Sequence, residues 1–164
     1  PYKVRLFQID NEPMNNGFTA ERYAEVVNVY GGRIREIAPE AQIVRWLDHQ
    51  PAESIWITAI TLFETRLGLA LLPKGRRRQS LELAFDRLLQ EDLENRVLDF
   101  DSAAATEAAA LAAARQRAGR TVDMRDTQIA GIALARRATL ATRNVRHFQD
   151  LSVTVIDPWQ AAGR

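Results

Sequence analysis

The six residues Ile55-Trp-Ile-Thr-Ala-Ile60 constrain the fold more than any other stretch of this chain. Five of them are apolar, so the polar/apolar alternation of a half-wetted strand is missing, and the segment reads as a strand buried on both faces of a parallel sheet. Thr61-Leu-Phe-Glu64 then has the form of a capping box that opens a helix to Leu72. A second helix is expected from about Arg76 to Gln90. Arg96–Phe100 reads as a strand, and Asp101 as the cap of a helix over 102–118 that holds ten alanines and ends at Gly119. Asp123 is the expected N-cap of a helix to Arg137. Thr139–Thr142 and Val153–Ile156 read as further strands. At the front, Val4–Ile9 alternates as a strand does and is stopped by Asp10-Asn11 and Pro13. Residues 11–19 read as a loop, 20–30 permit helix or strand, and Pro39-Glu40 opens a helix through Asp48. Strands alternating with helices give an α/β fold with a mostly parallel sheet. A chain of 164 residues is expected to form a single domain, 1–164.

Composition narrows the chemistry. There are no cysteines and only two histidines, His49 and His147, which excludes disulfides, thiolate metal sites and a cysteine nucleophile. Any metal would be held by oxygen and would be hard, Mg²⁺ or Mn²⁺. No apolar run reaches the ~18 residues of a membrane span, and no signal segment is visible, so a cytoplasmic protein is expected. There is no phosphate-cradling Gly-rich loop and no Gly-x-Ser-x-Gly elbow. The net charge is +1, yet eight arginines face two acids between Arg115 and Arg146, and the rest of the chain is net acidic. Such a basic segment suits a polyanion, or is simply a solvated helix face.

In parallel sheets, ligands bind beyond the carboxyl ends of the strands. That rule selects Asp10, Glu64, Asp101, Asp126 and Asn144. Glu64 and Asp126 each stand three residues after a capping residue, Thr61 or Asp123, and each begins an apolar helix face, which turns the carboxylate inward. In a first helical turn the dipole would favour the ionised form. Ionised carboxylates converging in a crevice repel one another unless a cation lies between them, and a divalent metal there can activate water against a phosphodiester. Capping alone also explains the pattern of either residue. Thr142, Arg143 and Asn144 could contact phosphate or simply form a polar turn. His147 could carry protons or lie inert. Arg76-Arg77-Arg78 could meet RNA, or begin a solvated helix. Trp46, Trp56 and Trp159 read as core. The helix from Leu62 to Leu72 is apolar nearly all round, so something beyond the sheet is expected to cover it.

Four stretches together resemble the PIN-domain ribonuclease toxins of type II toxin–antitoxin systems, the VapC and FitB group: residues 51–64, 67–76, Asp126-Thr-Gln-Ile-Ala-Gly-Ile-Ala133 and Ala141-Thr-Arg-Asn-Val-Arg-His-Phe148. Asp157-Pro-Trp159 resembles that family's C-terminal Asn-Pro-Trp. The resemblance implies an α/β/α sandwich, a Mg²⁺- or Mn²⁺-dependent endoribonuclease, a homodimer and a cognate antitoxin. It makes Glu64 and Asp126 metal-binding and catalytic, and puts Asn144 in the fourth, Thr-Arg-Asn region. Family members often carry Asp where His147 stands. The family's opening Asp-Thr-Asn has no counterpart at its usual spacing before Trp46; that count lands near Val27. The nearest equivalent is Asp10-Asn11, 36 residues before Trp46, so residues 1–36 are atypical. Asp10 is the expected first ligand, with an insertion after its strand tolerated at modest entropic cost. The alternative is a PIN-fold protein with an incomplete site that binds antitoxin or RNA without cutting.

Overall fold

The structure, a computed structural model, describes residues 5–7, 46 and 49–160. Five strands are present among them: β1 (Arg5–Phe7), β2 (Ile55–Thr58), β3 (Val97–Leu98), β4 (Thr139–Ala141) and β5 (Val155–Ile156). They form one sheet in the order β3-β2-β1-β4-β5, with every pairing parallel. Arg5 pairs with Ile55 on one side and Thr139 on the other, so β1 is the central strand. From β1 to β3 the sheet grows in one direction; β4 then crosses to the other side of β1. The resulting crevice between β1 and β4, at the carboxyl end, is where such sheets bind ligands.

Helices α1 (Ala59–Leu71) and α2 (Arg76–Arg87) connect β2 to β3, and α3 (Ser102–Arg117) and α4 (Met124–Arg136) connect β3 to β4. Strand alternation assigns each pair of helices its own face. Ile55 and Ile57 of β2 join Leu69, Leu81, Phe85, Leu88 and Leu93 in one core. Trp56 of the same strand packs with the other, built on Ile129, Ile132, Leu140 and Phe148. The molecule is thus a three-layer α/β/α sandwich. Trp46, Trp56 and Trp159 pack against these cores, as expected.

Element types follow the sequence; several limits do not. The strand expected over 55–60 ends at Thr58, and α1 begins two residues before the expected cap. Thr58, not Thr61, is the N-cap: its Oγ1 accepts from Thr61 N–H at 2.9 Å. The apolar Ala59 and Ile60 permitted either state, and a cap at Thr58 lets both enter the helix. Past Arg87, α2 widens into a π turn over Leu88–Asp92, whose Leu88 and Leu89 are buried. Gly119, at φ +68, ends α3 in a Schellman motif, with Arg120 N–H bonded to Arg115 O at 2.9 Å. Helices α3 and α4 meet through small residues. A Cβ on Gly131 would collide with the Ala104 carbonyl oxygen and lie 2.7 Å from Ala108 Cβ. The expectations for residues 11–30 and for Asp10 lie outside the described residues, as does the 39–48 helix apart from Trp46, which is helical.

Candidate functional site

Two elements deliver the candidate carboxylates from opposite faces of the sheet. Glu64 stands on the second turn of α1, which follows β2, and is 7% exposed. Asp126 stands on the first turn of α4 and is 3% exposed. The two local settings differ more than the matched sequence pattern implied. Asp123 caps α4 as expected, accepting from Arg125 N–H at 2.9 Å and Asp126 N–H at 3.1 Å. The capping box at Thr61–Glu64 is not formed, because the helix begins earlier. Glu64 therefore lies beyond the first turn, and the dipole argument for its ionised form does not apply. Burial instead pushes its pKa up to about 7, the charge of nearby Arg125 opposes the rise, and the charges of Asp126 and Asp123 add to it.

The first turn of α4 reaches Glu64 directly. Arg125 Nη1 lies 3.3 Å from Glu64 Oε1. Glu64 Oε2 is buried with no hydrogen-bond partner among the described residues. A buried, unsatisfied carboxylate oxygen calls for a ligand. On its other side Asp126 Oδ2 lies 2.6 Å from His147 Nδ1, and Asn144 Nδ2 lies 2.7 Å from the same ring nitrogen. One nitrogen cannot donate to the carboxylate and accept from the amide at once. Either the ring donates from Nδ1 to Asp126, or it accepts at Nδ1 from the Asn144 amide, whose Oδ1 accepts from Arg146 Nε at 3.3 Å.

The Thr142-Arg143-Asn144 segment follows β4 into the same crevice. Thr142 is fully buried, and its Oγ1 accepts from Asn144 N–H at 3.1 Å, which shapes the turn. Asn144 is nearly buried beside His147, and Arg143 is exposed. Asp101 caps α3 through Ala104 N–H at 3.0 Å and pairs with Arg136 at 2.6 Å, bonds that hold its carboxyl below the usual range. In the Arg76–Arg78 run, Arg78 bonds Glu82 and the Ala70 carbonyl oxygen, which suits a helix start. Among the described residues, no three possible metal ligands gather at one point. Asp10 lies outside them, three residues past the described end of β1.

Two contributors had not been singled out. Arg125 sits between the cap and Asp126, where sequence alone does not say which way it turns. Arg115 is 6% exposed. It forks onto Asp150 at 2.9 and 2.7 Å, and also donates to the His147 carbonyl oxygen at 2.8 Å and to Thr127 Oγ1 at 3.3 Å. It thereby ties α3 to α4 and to the 145–150 turn that carries His147. A signal was available: Arg115 continues the helical spacing of Ala104, Ala108 and Leu111, the buried stripe of α3.

A sequence profile of the PIN domain matches residues 21–153. The plasmid stability protein StbB of Pseudomonas syringae pv. tomato is 39% identical over 123 residues, 75% of this chain and 88% of that protein. VapC ribonuclease Y4jK of Sinorhizobium fredii is 33% identical over 124 residues, 76% of this chain and 89% of that protein. Among solved structures, FitAcB from Neisseria gonorrhoeae superposes with a TM-score of 0.73 at 27% identity, covering 96% of this chain and 99% of that one. FitAB bound to a DNA fragment superposes at 0.70 with 28% identity, covering 95% and 96%.

Proposed function

Because the chain belongs to the PIN domain family, we propose that it is the ribonuclease toxin of a toxin–antitoxin module, cutting RNA phosphodiesters with a divalent cation. The observation that carries this reading is the pairing of buried Glu64 and Asp126 at the carboxyl end of a parallel sheet, with one Glu64 oxygen unsatisfied. The donor set fits a hard cation: two carboxylates, no sulfur, and a Glu64 whose ionisation is opposed by burial and by its acidic neighbours. Glu64 and Asp126 would hold Mg²⁺ or Mn²⁺. Asp10, three residues after β1 in the sequence, would complete the set. When bound, the cation supplies positive charge to the attacking water and the phosphate.

The remaining steps belong to the chain. Arg143, exposed beside the crevice, would meet the phosphate, with Asn144 next to it. Asn144 and Asp126 fix the His147 ring, and Thr142 shapes the turn that presents them. Arg125 neutralises part of the acidic pair while the cation is away. The structural neighbours support a partner as well as an activity, since FitAcB and FitAB are solved as toxin–antitoxin complexes. We propose that a cognate antitoxin and a second copy of this chain cover α1, where Phe63 and Leu71 remain exposed at 56% and 59%. Light scattering that finds only monomer at micromolar concentration would refute the dimer.

The decisive experiment is cleavage of single-stranded RNA with Mg²⁺ or Mn²⁺. Glu64→Gln and Asp126→Asn should each abolish it with the fold intact by circular dichroism. Wild-type cleavage that persists in EDTA would sink the metal mechanism. An Asp10→Asn protein that binds Mn²⁺ like wild type would remove Asp10 from the site and favour the incomplete-site alternative, binding without cutting.

A further inference from the structure

Beside the carboxylates lies a cavity of about 530 Å³, within the range of small-ligand pockets. Its walls come from three places: the loop after α3 with Arg120 and Thr121, the start of α4 with Asp123 and Asp126, and the 145–150 turn with Arg146, His147 and Gln149. Asp126 and His147 form its border with the candidate catalytic site, so whatever fills it sits next to the cleaved linkage.

The charges around it are arranged unequally. Asp150 is held by the Arg115 fork, which keeps its carboxyl below the usual range. That pair forms a rigid, internally neutralised floor. Arg120 reaches the same Asp150 Oδ2 only at 3.4 Å, an oxygen already bonded by Arg115 Nε at 2.9 Å, and its side chain is 62% exposed. Its charge is available to an incoming anion. Arg146 supplies a second guanidinium from another wall, its Nε donating to Asn144 Oδ1 at 3.3 Å. Thr121 offers a hydroxyl and Gln149 an amide, groups that hydrogen-bond the edges of a base or a ribose. Among the described lining residues the one aromatic ring is the His147 imidazole, which is held by Asp126, so a base would be read there chiefly by hydrogen bonds.

We propose that this cavity is a nucleotide subsite for the residue flanking the scissile phosphate, with Arg120 and Arg146 taking the flanking phosphate and Thr121 and Gln149 reading the base. The proposal rests on the ribonuclease reading and deepens it by adding a position at which the RNA sequence is discriminated.

The test separates binding from cutting. In isotope-labelled Glu64→Gln protein, titration with uridine and adenosine monophosphates should shift the amide signals of Thr121, His147 and Gln149. Inorganic phosphate alone should shift them less. Arg120→Ala should weaken nucleotide binding several-fold and lower its salt dependence by about one counterion. Arg87→Ala, on α2 outside the cavity, should change neither. In the cleaving protein, Arg120→Ala should raise KM, with kcat unchanged, only for oligoribonucleotides that carry the flanking nucleotide. Gln149→Trp, which fills the space, should do the same. Equal losses for Arg87→Ala and Arg120→Ala, or for substrates with and without the flanking nucleotide, would overturn the subsite in favour of diffuse attraction. So would a Gln149→Trp protein that loses antitoxin binding yet handles RNA as wild type does, which assigns the cavity to the protein partner. If no RNA is cut at all, the ribonuclease reading fails, and the nucleotide titration still judges the cavity.

Discussion

The two helical layers solve the same problem with opposite materials. The α1–α2 layer fills its side of the sheet with large side chains, among them Leu69, Leu81, Phe85, Leu88 and Leu93. The α3–α4 layer uses alanine and glycine, so the backbones themselves come close. Each layer brings one carboxylate to the crevice, and the settings differ accordingly. Glu64 emerges from the leucine side with an unpartnered oxygen and a raised pKa. Asp126 emerges from the alanine side into a hydrogen-bonded cluster, with the buried Arg115 behind it. Large side chains cover a carboxylate without offering it donors. Close-packed backbones bring caps, hydroxyls and a guanidinium within reach.

The contrast predicts opposite sensitivities. Removing atoms should hurt the leucine layer most: Phe85→Ala, at a fully buried position, should cost about 3–5 kcal/mol by chemical denaturation. A loss below about 1 kcal/mol would show that the layer repacks. Next comes the polar tie of the alanine layer. Asp150→Ala strands the buried Arg115 charge and should cost about 3 kcal/mol, whereas Arg115→Met should cost less, since the carboxylate it leaves is partly exposed and still reached by Arg120. Adding atoms should hurt the alanine layer. Gly131→Ala would stabilise an exposed helix by about 1 kcal/mol, yet here should destabilise by about 1–3 kcal/mol, because the new methyl meets backbone. A stabilised Gly131→Ala protein would break the comparison.

The smaller effects are electrostatic and conformational. Glu64 has a folded-state pKa of about 7 against an ordinary 4.5, so the folded state binds the extra proton between those values. Its contribution to stability is full below about pH 4.5 and is lost as pH rises through about 7. Metal-free Glu64→Gln should therefore lose that part of the pH dependence, measured as the difference in denaturation midpoint from wild type between pH 5 and pH 8. Identical pH profiles would show that Glu64 is not shielded as described. Last, Arg137 ends α4 in the left-handed region at φ 49, which glycine adopts freely. Arg137→Gly should raise stability by no more than about 1 kcal/mol.

Among the described residues, element types and their order were legible in the sequence, because apolar runs and capping residues act locally. Ile55–Ile57 could only be a covered strand, Asp101 and Asp123 could each cap the helix that follows, and Gly119 could end one. It also marked Glu64 and Asp126, since position after a strand and on an inward helix face is a local property. The cap expected at Thr61 proved to be Thr58, because Ala59 and Ile60 suit strand and helix alike and only their packing decides. Long-range packing made Glu64 shielded and half satisfied, brought Arg125 across to it, and set Arg115 on a turn 35 residues away through Asp150. Those facts depend on which groups from distant segments meet where water is excluded, and no local pattern carries that information.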